Sequence, residues 1–340
     1  MLRPKPSRVQ SVRVTRRRPL PPQFVGEPFA ASSAVAAGVP LHRLGARDLL
    51  SPFHGVRAPA NEASSIERSV RAYSKRMRPG NIFSHVTAAK LYHLPLPLYV
   101  DDDATIHVSA KAPARAPSGR NVTGHRMAEN LWAARDVIHL DPESGEIFAS
   151  PCVTPELLWT QLATVLDRVD LIAIGDAMIG GGTPLCSVEG LARQVERWKG
   201  MPGAALAAKS LGQLRTGSLS RPESIIRVSF VDAGLPEPEI NVPVHDRAGR
   251  VLAVADASWK RYRTLAEYEG ALHFGSRRKM LNDLARHERY RDGGWYSFRA
   301  TTDDVFGDPN PLIGRIARHL LAKGWTPSPD GLRRIGSARA

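Results

Sequence analysis

The sequence predicts a multidomain α/β protein, and three observations in its 340 residues carry that prediction. In the last third, helical and strand periodicities alternate. SRPESIIRVSFVD reads as a helix, EINVPV, VLAVAD and TLAEYE as three strands, SRRKMLNDLARHERYRDGG as a helix, WYSFRATTDDV as a strand and PLIGRIARHLLAKG as a helix. Near the start, residues 27–60 read as short helices and a hairpin punctuated by Gly and Pro. The length suits two or three domains, with a mixed middle region over 61–215 and a C-terminal α/β core over 216–325.

Hydrophobic residues make up 42% of the chain and charged residues 24%, values ordinary for a globular protein. The 47 Lys and Arg against 33 Asp and Glu leave a net charge of +14. Such a field favours polyanions, nucleic acid or an anionic membrane surface, with an Arg-rich compositional bias as the competing reading. Cys152 and Cys186 make no CxxC and no zinc spacing, which points to a reducing compartment. No apolar run approaches a membrane span, and the first residues lack a hydrophobic signal core. A cytoplasmic protein without a membrane partner is the expectation.

Residues 1–26 carry seven Lys or Arg, no acid and five prolines, a composition expected to stay disordered as a basic arm. Ala34 to Ala37 reads as a helix ended by Gly38, a second helix follows from about Pro40 to Leu49, and LLSPFHGVRA closes a hairpin. That order is similar to the winged-helix domain at the start of AbiEi-type antitoxins and related actinobacterial proteins. The resemblance implies that the second helix enters the major groove with His42, Arg43 and Arg47 facing DNA. A packing module with Arg47 merely solvated is the alternative.

ASSIERSVRAYSKRM reads as a charged helix, VTAAKLYHL as a helix ended by Pro95 and Pro97, and TIHVSA as a strand. SHVTAAKLYHLPLP also resembles the middle domain of the AbiEi-type family. No Asp or Asn is placed to orient the imidazole of His85, so Ser84 reads as a helix cap and His85 as a packing residue. One long helix is expected to carry Leu157, Leu158, Leu162, Val165 and Leu166 on its apolar face, with LIAIGDAMI as further helix or a buried segment. Gly180 to Gly182 lacks the Lys-Ser/Thr of a phosphate loop and reads as a turn, and residues 184–215 read as helical. The final residues, 326–340, are expected to form a disordered tail.

Arg250 to Gly270 organises the rest of the chain. VLAVAD and TLAEYE form paired strands joined by the polar KRYR, with Asp256 ending the first. Alternation places Glu267 and Glu269 on one side of the second strand. If Asp256 shares that side, the three acids repel one another unless a cation joins them, and oxygen ligands suit a hard ion such as Mg²⁺. The alternative is a solvated strand face.

From Ser220 onward, SRPESIIRVSFVDAGLPEPEINVPVHD, VADASW, AEYEGALHF and RRKMLNDLARHERYRDGGWYSFRATTDDV resemble the restriction-endonuclease-like domain of many actinobacterial proteins. That domain is similar to very-short-patch-repair endonucleases, within the PD-(D/E)xK nuclease superfamily. The resemblance implies Asp256 as motif aspartate, Glu267 as second acid and Glu223 as the first-helix acid, together holding Mg²⁺. Glu269 stands at the position of the superfamily lysine, a departure that bears on cleavage itself. Glu223 reads equally as half of a capping box with Ser220. His273 is the candidate to orient water, Lys260 and Arg277 are candidates to neutralise phosphate, and Asp283 and Arg286 read as a structural ion pair. The expected function is Mg²⁺-dependent endonucleolytic hydrolysis of DNA, in phage defence or DNA repair. The alternative is a catalytically inactive, antitoxin-like transcriptional repressor with a cognate toxin, and half-site reading favours a homodimer.

Overall fold

Three β-sheets and twelve α-helices organise the described residues of the computed structural model, which are 18–60, 65–140, 145–270 and 277–329, the side chains of 277–284 excepted. The chain is mixed α/β. Among the described residues, no helix is long and apolar enough to cross a membrane.

In the N-terminal module, β1 (Phe29–Ala30), α1 (Ala31–Ala36), β2 (Leu49–Leu50) and β3 (Val56–Pro59) form an antiparallel sheet of order β1-β3-β2 with one helix. Helix α1 stops because Gly38 adopts φ +82°, a left-handed conformation that costs glycine little. The expected helix over Pro40 to Leu49 is instead a five-residue 3₁₀ turn, Leu41–Gly45. Its chain is turned inward by Arg43, which is buried, donates from Nε to the Arg18 carbonyl and pairs bidentately with Asp48. Residues 18–26 are also ordered, contrary to the expected arm. A 3₁₀ turn at Pro22–Phe24 places the Phe24 ring 4.9 Å from Phe29 over Ala34, Val39 and Leu44. Two apolar anchors, Leu20 and Phe24, outweigh the local charge there. Residues 1–17 and 330–340 lie outside the described residues.

The middle region runs α2 (Ile66–Ser74), β4 (Asn81–Phe83), α3 (His85–Leu91), α4 (Leu98–Asp101), β5 (Ile106–Lys111), β6 (Val122–Met127), β7 (Ala134–Leu140) and β8 (Ile147–Val153). Helices α5 (Pro155–Leu162), α6 (Arg168–Ile179), α7 (Val188–Arg197) and α8 (Ala204–Leu211) follow. The sheet order is β6-β5-β4-β8-β7, with β4 parallel to β8 and β5 parallel to β6. The expected single long helix is broken in two. Asp167 caps α6 by accepting from the Asp170 amide at 2.8 Å, and Val165 in the break is exposed rather than apolar-facing. The core gathers Phe83, Leu91, Leu157, Trp159 and Leu171.

The C-terminal region follows the predicted order: α9 (Arg221–Asp232), β9 (Glu239–His245), β10 (Val251–Trp259), β11 (Thr264–Glu269), α10 (Arg277–Asp292), β12 (Tyr296–Thr301), then α11 (Thr302–Phe306) and α12 (Asn310–Ala322). The sheet order is β12-β11-β10-β9, antiparallel except for β11 with β12. One face packs Ala257, Ala266, Phe298 and Ala300 against Ile225, Phe230, Leu312 and Ile316 of α9 and α12. The other puts Leu265 and Glu267 against Tyr290 of α10. Helix α9 serves two cores, since its Val228 packs with the middle region.

Candidate functional site

Register brings the two strand acids together. Ala257 pairs with Ala266, so one step along the ladder sets Asp256 opposite Glu267. Asp256 Oδ2 accepts the Tyr268 amide at 2.8 Å. Glu267, only 6% exposed, accepts the Tyr290 hydroxyl at 2.9 Å on Oε1, and its Oε2 lies 2.5 Å from Arg286 Nη2. Arg286 also donates to the Tyr290 oxygen at 2.8 Å and the Val254 carbonyl at 2.6 Å. Burial pushes the Glu267 carboxyl up to about 7, the Asp256 charge adds to the rise, and Arg286 opposes it. Asp256 is raised as well, by burial first and then by Glu223 against the Tyr268 amide and Arg286. The result is a pair of carboxyls whose ionised forms call for positive charge.

The remaining predicted site residues are distributed differently. Glu269 pairs with Arg299 at 3.1 Å and lies 3.5 Å from His287 Nε2, while His287 Nδ1 meets Ser297 Oγ at 3.1 Å. The lysine position is therefore an acid paired with Arg299 of β12 and close to the His287 ring of α10. Glu223 accepts from the Leu219 amide at 2.8 Å, the Ser220 hydroxyl at 2.8 Å and Asn241 Nδ2 at 2.5 Å. Because the Ser220 hydroxyl donates to Glu223 and caps no amide, and Glu223 takes the Leu219 amide and not that of Ser220, the expected capping box does not form. Among the described residues, Asp256, Glu267 and Glu223 do not make a set of three with ligand atoms within 4.8 Å.

Lys260, in the turn between β10 and β11, pairs with Glu239 at 2.6 Å. His42 and Arg47 are exposed, whereas the burial of Arg43 removes it from any DNA-facing surface. His273 and the side chains of Arg277 and Asp283 lie outside the described residues. Arg286 is directed to Glu267, whose buried carboxylate demands a cation, while its expected pairing with Asp283 lies outside the described residues.

Four groups went unread in the sequence: His287 and Arg299 around Glu269, and Arg315 and Arg318 on α12. The last two join Arg299, Tyr296 and His319 in lining a cavity of about 410 Å³ beside the edge strand β12. The i, i+3 spacing of Arg315 and Arg318 is the one signal that could have found them.

A second constellation lies in the middle region. His85 begins α3 with φ +49°, His107 sits in β5 and His125 in β6. His107 Nδ1 and His125 Nε2 are 3.1 Å apart, and the His85 and His125 rings stack with centroids 3.7 Å apart. Burial lowers all three imidazoles, His85 to about 2 and His125 to about 4, and the neighbouring rings lower these two further. Ser84 takes the expected N-cap position of α3, but its hydroxyl makes no capping bond, receives the Ser109 hydroxyl at 2.8 Å and meets His85 Nδ1 at 3.1 Å.

The chain is similar to the uncharacterized protein MT2308 of Mycobacterium tuberculosis strain CDC 1551 / Oshkosh and to the uncharacterized protein Rv2248 of strain H37Rv. Each is 31% identical over 179 residues, which cover 52% of this chain. The chain spans 63% of the length of these relatives. No family model matches the chain, and no solved structure matches it.

Proposed function

We propose that this chain is a DNA-binding protein whose C-terminal region has a PD-(D/E)xK restriction-endonuclease-like fold and hydrolyses phosphodiester bonds with Mg²⁺. The carrying observation is the Asp256–Glu267 pair, two part-buried carboxyls set opposite each other on adjacent strands under α10. The order α9-β9-β10-β11-α10-β12, with β12 parallel to β11, supports the fold reading, and the antiparallel β1-β3-β2 sheet beside α1 supports a winged helix of AbiEi type.

The donor set fits Mg²⁺, which takes one or two carboxylates and completes its shell with water and substrate phosphate oxygens. Asp256 and Glu267 would hold it, and Glu223, engaged by three donors, acts on Asp256 through its charge. When bound, the ion supplies phosphate charge neutralisation and water of lowered pKa. Arg286 positions Glu267, and His287, held by Ser297 and beside Glu269, is placed to carry a proton where His273 was expected to act. Arg299, Arg315 and Arg318 offer a phosphate track along β12.

One observation favours the second reading, an inactive antitoxin-like repressor: Arg286 already gives Glu267 a counter-charge. Incubating supercoiled and linear DNA with Mg²⁺ or Mn²⁺, beside the Asp256→Ala/Glu267→Ala double variant, separates the two. Metal-dependent nicking lost by at least about 10³-fold in the variant is the expected result, since the pair would carry the metal's whole contribution. Tight salt-sensitive binding without cleavage by either protein would leave the repressor.

The arginine cleft makes a separate prediction. Arg315→Ala/Arg318→Ala should weaken DNA binding uniformly across sequences and lower the slope of log K against log salt by about 2, because two phosphate contacts are lost. An unchanged slope in a fluorescence-anisotropy salt series would remove this face from the interface.

A further inference from the structure

We propose that His85, His107 and His125 form a binding site for a divalent first-row transition metal of the Zn²⁺ class, separate from the carboxylate pair. Their ligand atoms all lie within 4.8 Å of one another, and no other set of three His, Cys, Asp or Glu among the described residues does this. The three side chains come from three elements, so the site is a product of the fold and not of one local motif.

Each part of the geometry bears on a metal. In a tetrahedral site, two Zn–N bonds of about 2.0–2.1 Å put their nitrogens about 3.3 Å apart. His107 Nδ1 and His125 Nε2 stand at 3.1 Å, close to one edge of such a tetrahedron. His85 reaches the other two only because α3 begins in the left-handed region at φ +49°, a conformation uncommon for a residue with a β-carbon. Its amide is anchored there to Gln161 Oε1 at 3.2 Å. Ser84 Oγ, itself receiving the Ser109 hydroxyl, meets Nδ1 of His85, and in the tautomer whose Nδ1–H donates to it Nε2 is the nitrogen open to a metal. An orienting hydroxyl on the far nitrogen is the outer support that metal-bound imidazoles usually have.

The donors are all nitrogen, which suits Zn²⁺, Ni²⁺ or Cu²⁺ and disfavours Mg²⁺. All three residues are part-buried, and three protein ligands leave a fourth position for water or an external ligand. The rings lie 14–29° from parallel, so binding turns them about Cβ–Cγ until their lone pairs meet, unstacking His85 from His125. A loaded site ties α3, β5 and β6 together.

The test uses untagged full-length protein stripped with chelator and then titrated with Zn²⁺ by calorimetry, with Co²⁺ substitution followed by visible absorption. The expected result is one Zn²⁺ per chain, a raised melting temperature that equimolar Mg²⁺ does not reproduce, and a ligand-field spectrum for Co²⁺. His107→Ala and His125→Ala are each expected to weaken Zn²⁺ binding by at least about 100-fold, more than loss of an outer partner alone. His125→Gln, which keeps a hydrogen-bonding side chain, should behave alike while melting like wild type in chelator. Absence of stoichiometric binding by the wild type overturns the proposal, as does unchanged affinity in the variants, which would place the metal on other histidines. Should the variants fail to fold, the wild-type stoichiometry and Co²⁺ spectrum still decide the matter.

Discussion

Asp176→Ala is expected to destabilise the folded chain by about 3–5 kcal/mol, the cost of leaving a buried charge without its partner. Asp176 in α6 is fully buried and 2.9 Å from Arg227 in α9, itself 2% exposed. The carboxylate also accepts from the Arg215 amide at 2.6 Å and the Ser224 hydroxyl at 2.8 Å. Among the described residues, Arg227 keeps the more exposed Glu237 at 3.1 Å and the Gln213 carbonyl at 2.9 Å once Asp176 is gone. Because α9 contributes to both the middle and the C-terminal core, the junction of the two loosens. Urea denaturation monitored by tryptophan fluorescence measures this, and a loss below about 1 kcal/mol would show that the junction does not depend on the pair. Asp176→Leu/Arg227→Met, which removes both charges, should cost less than Asp176→Ala.

Glu267→Gln is expected to remove a pH dependence of stability worth on the order of 2–3 kcal/mol between about pH 4.5 and 7. Burial first, and the facing Asp256 second, raise the folded-state carboxyl to about 7 from an ordinary 4.5. Within that window the native state keeps a proton that the unfolded chain has released, so stability falls as pH rises and levels off above the folded value. Glutamine does not titrate. Relative to wild type, the variant should therefore gain stability between pH 5 and pH 8 in chelator, read from paired urea curves. An equal difference at both pH values would mean that Arg286 holds the carboxylate ionised throughout.

The C-terminal region was the most legible in the sequence because its elements are local. The strand runs VLAVAD and TLAEYE, the Gly293–Gly294 stop after α10 and the apolar stripe of α12 each carry their own periodicity, and each element formed where expected. The middle sheet was hidden for the opposite reason. Strand β4 has three residues, and β7 exposes most of its side chains, so little alternation marks either one. At the N-terminus, Arg43 read as a DNA contact because a sequence shows a charge and not the Asp48 and Arg18 carbonyl waiting for it.

The mixed α/β class, the order of the C-terminal elements and the placing of Asp256 and Glu267 on neighbouring strands are all written in the linear chain. Those properties follow from hydrophobic period and turn chemistry within short windows. Folding in three dimensions settles which cations serve the acids, that Glu223 is held by the loop before α9, and that three histidines between positions 85 and 125 share one place. A buried charge or an open lone pair is satisfied by whatever group the fold brings within about 3 Å, and distance along the chain carries no record of that.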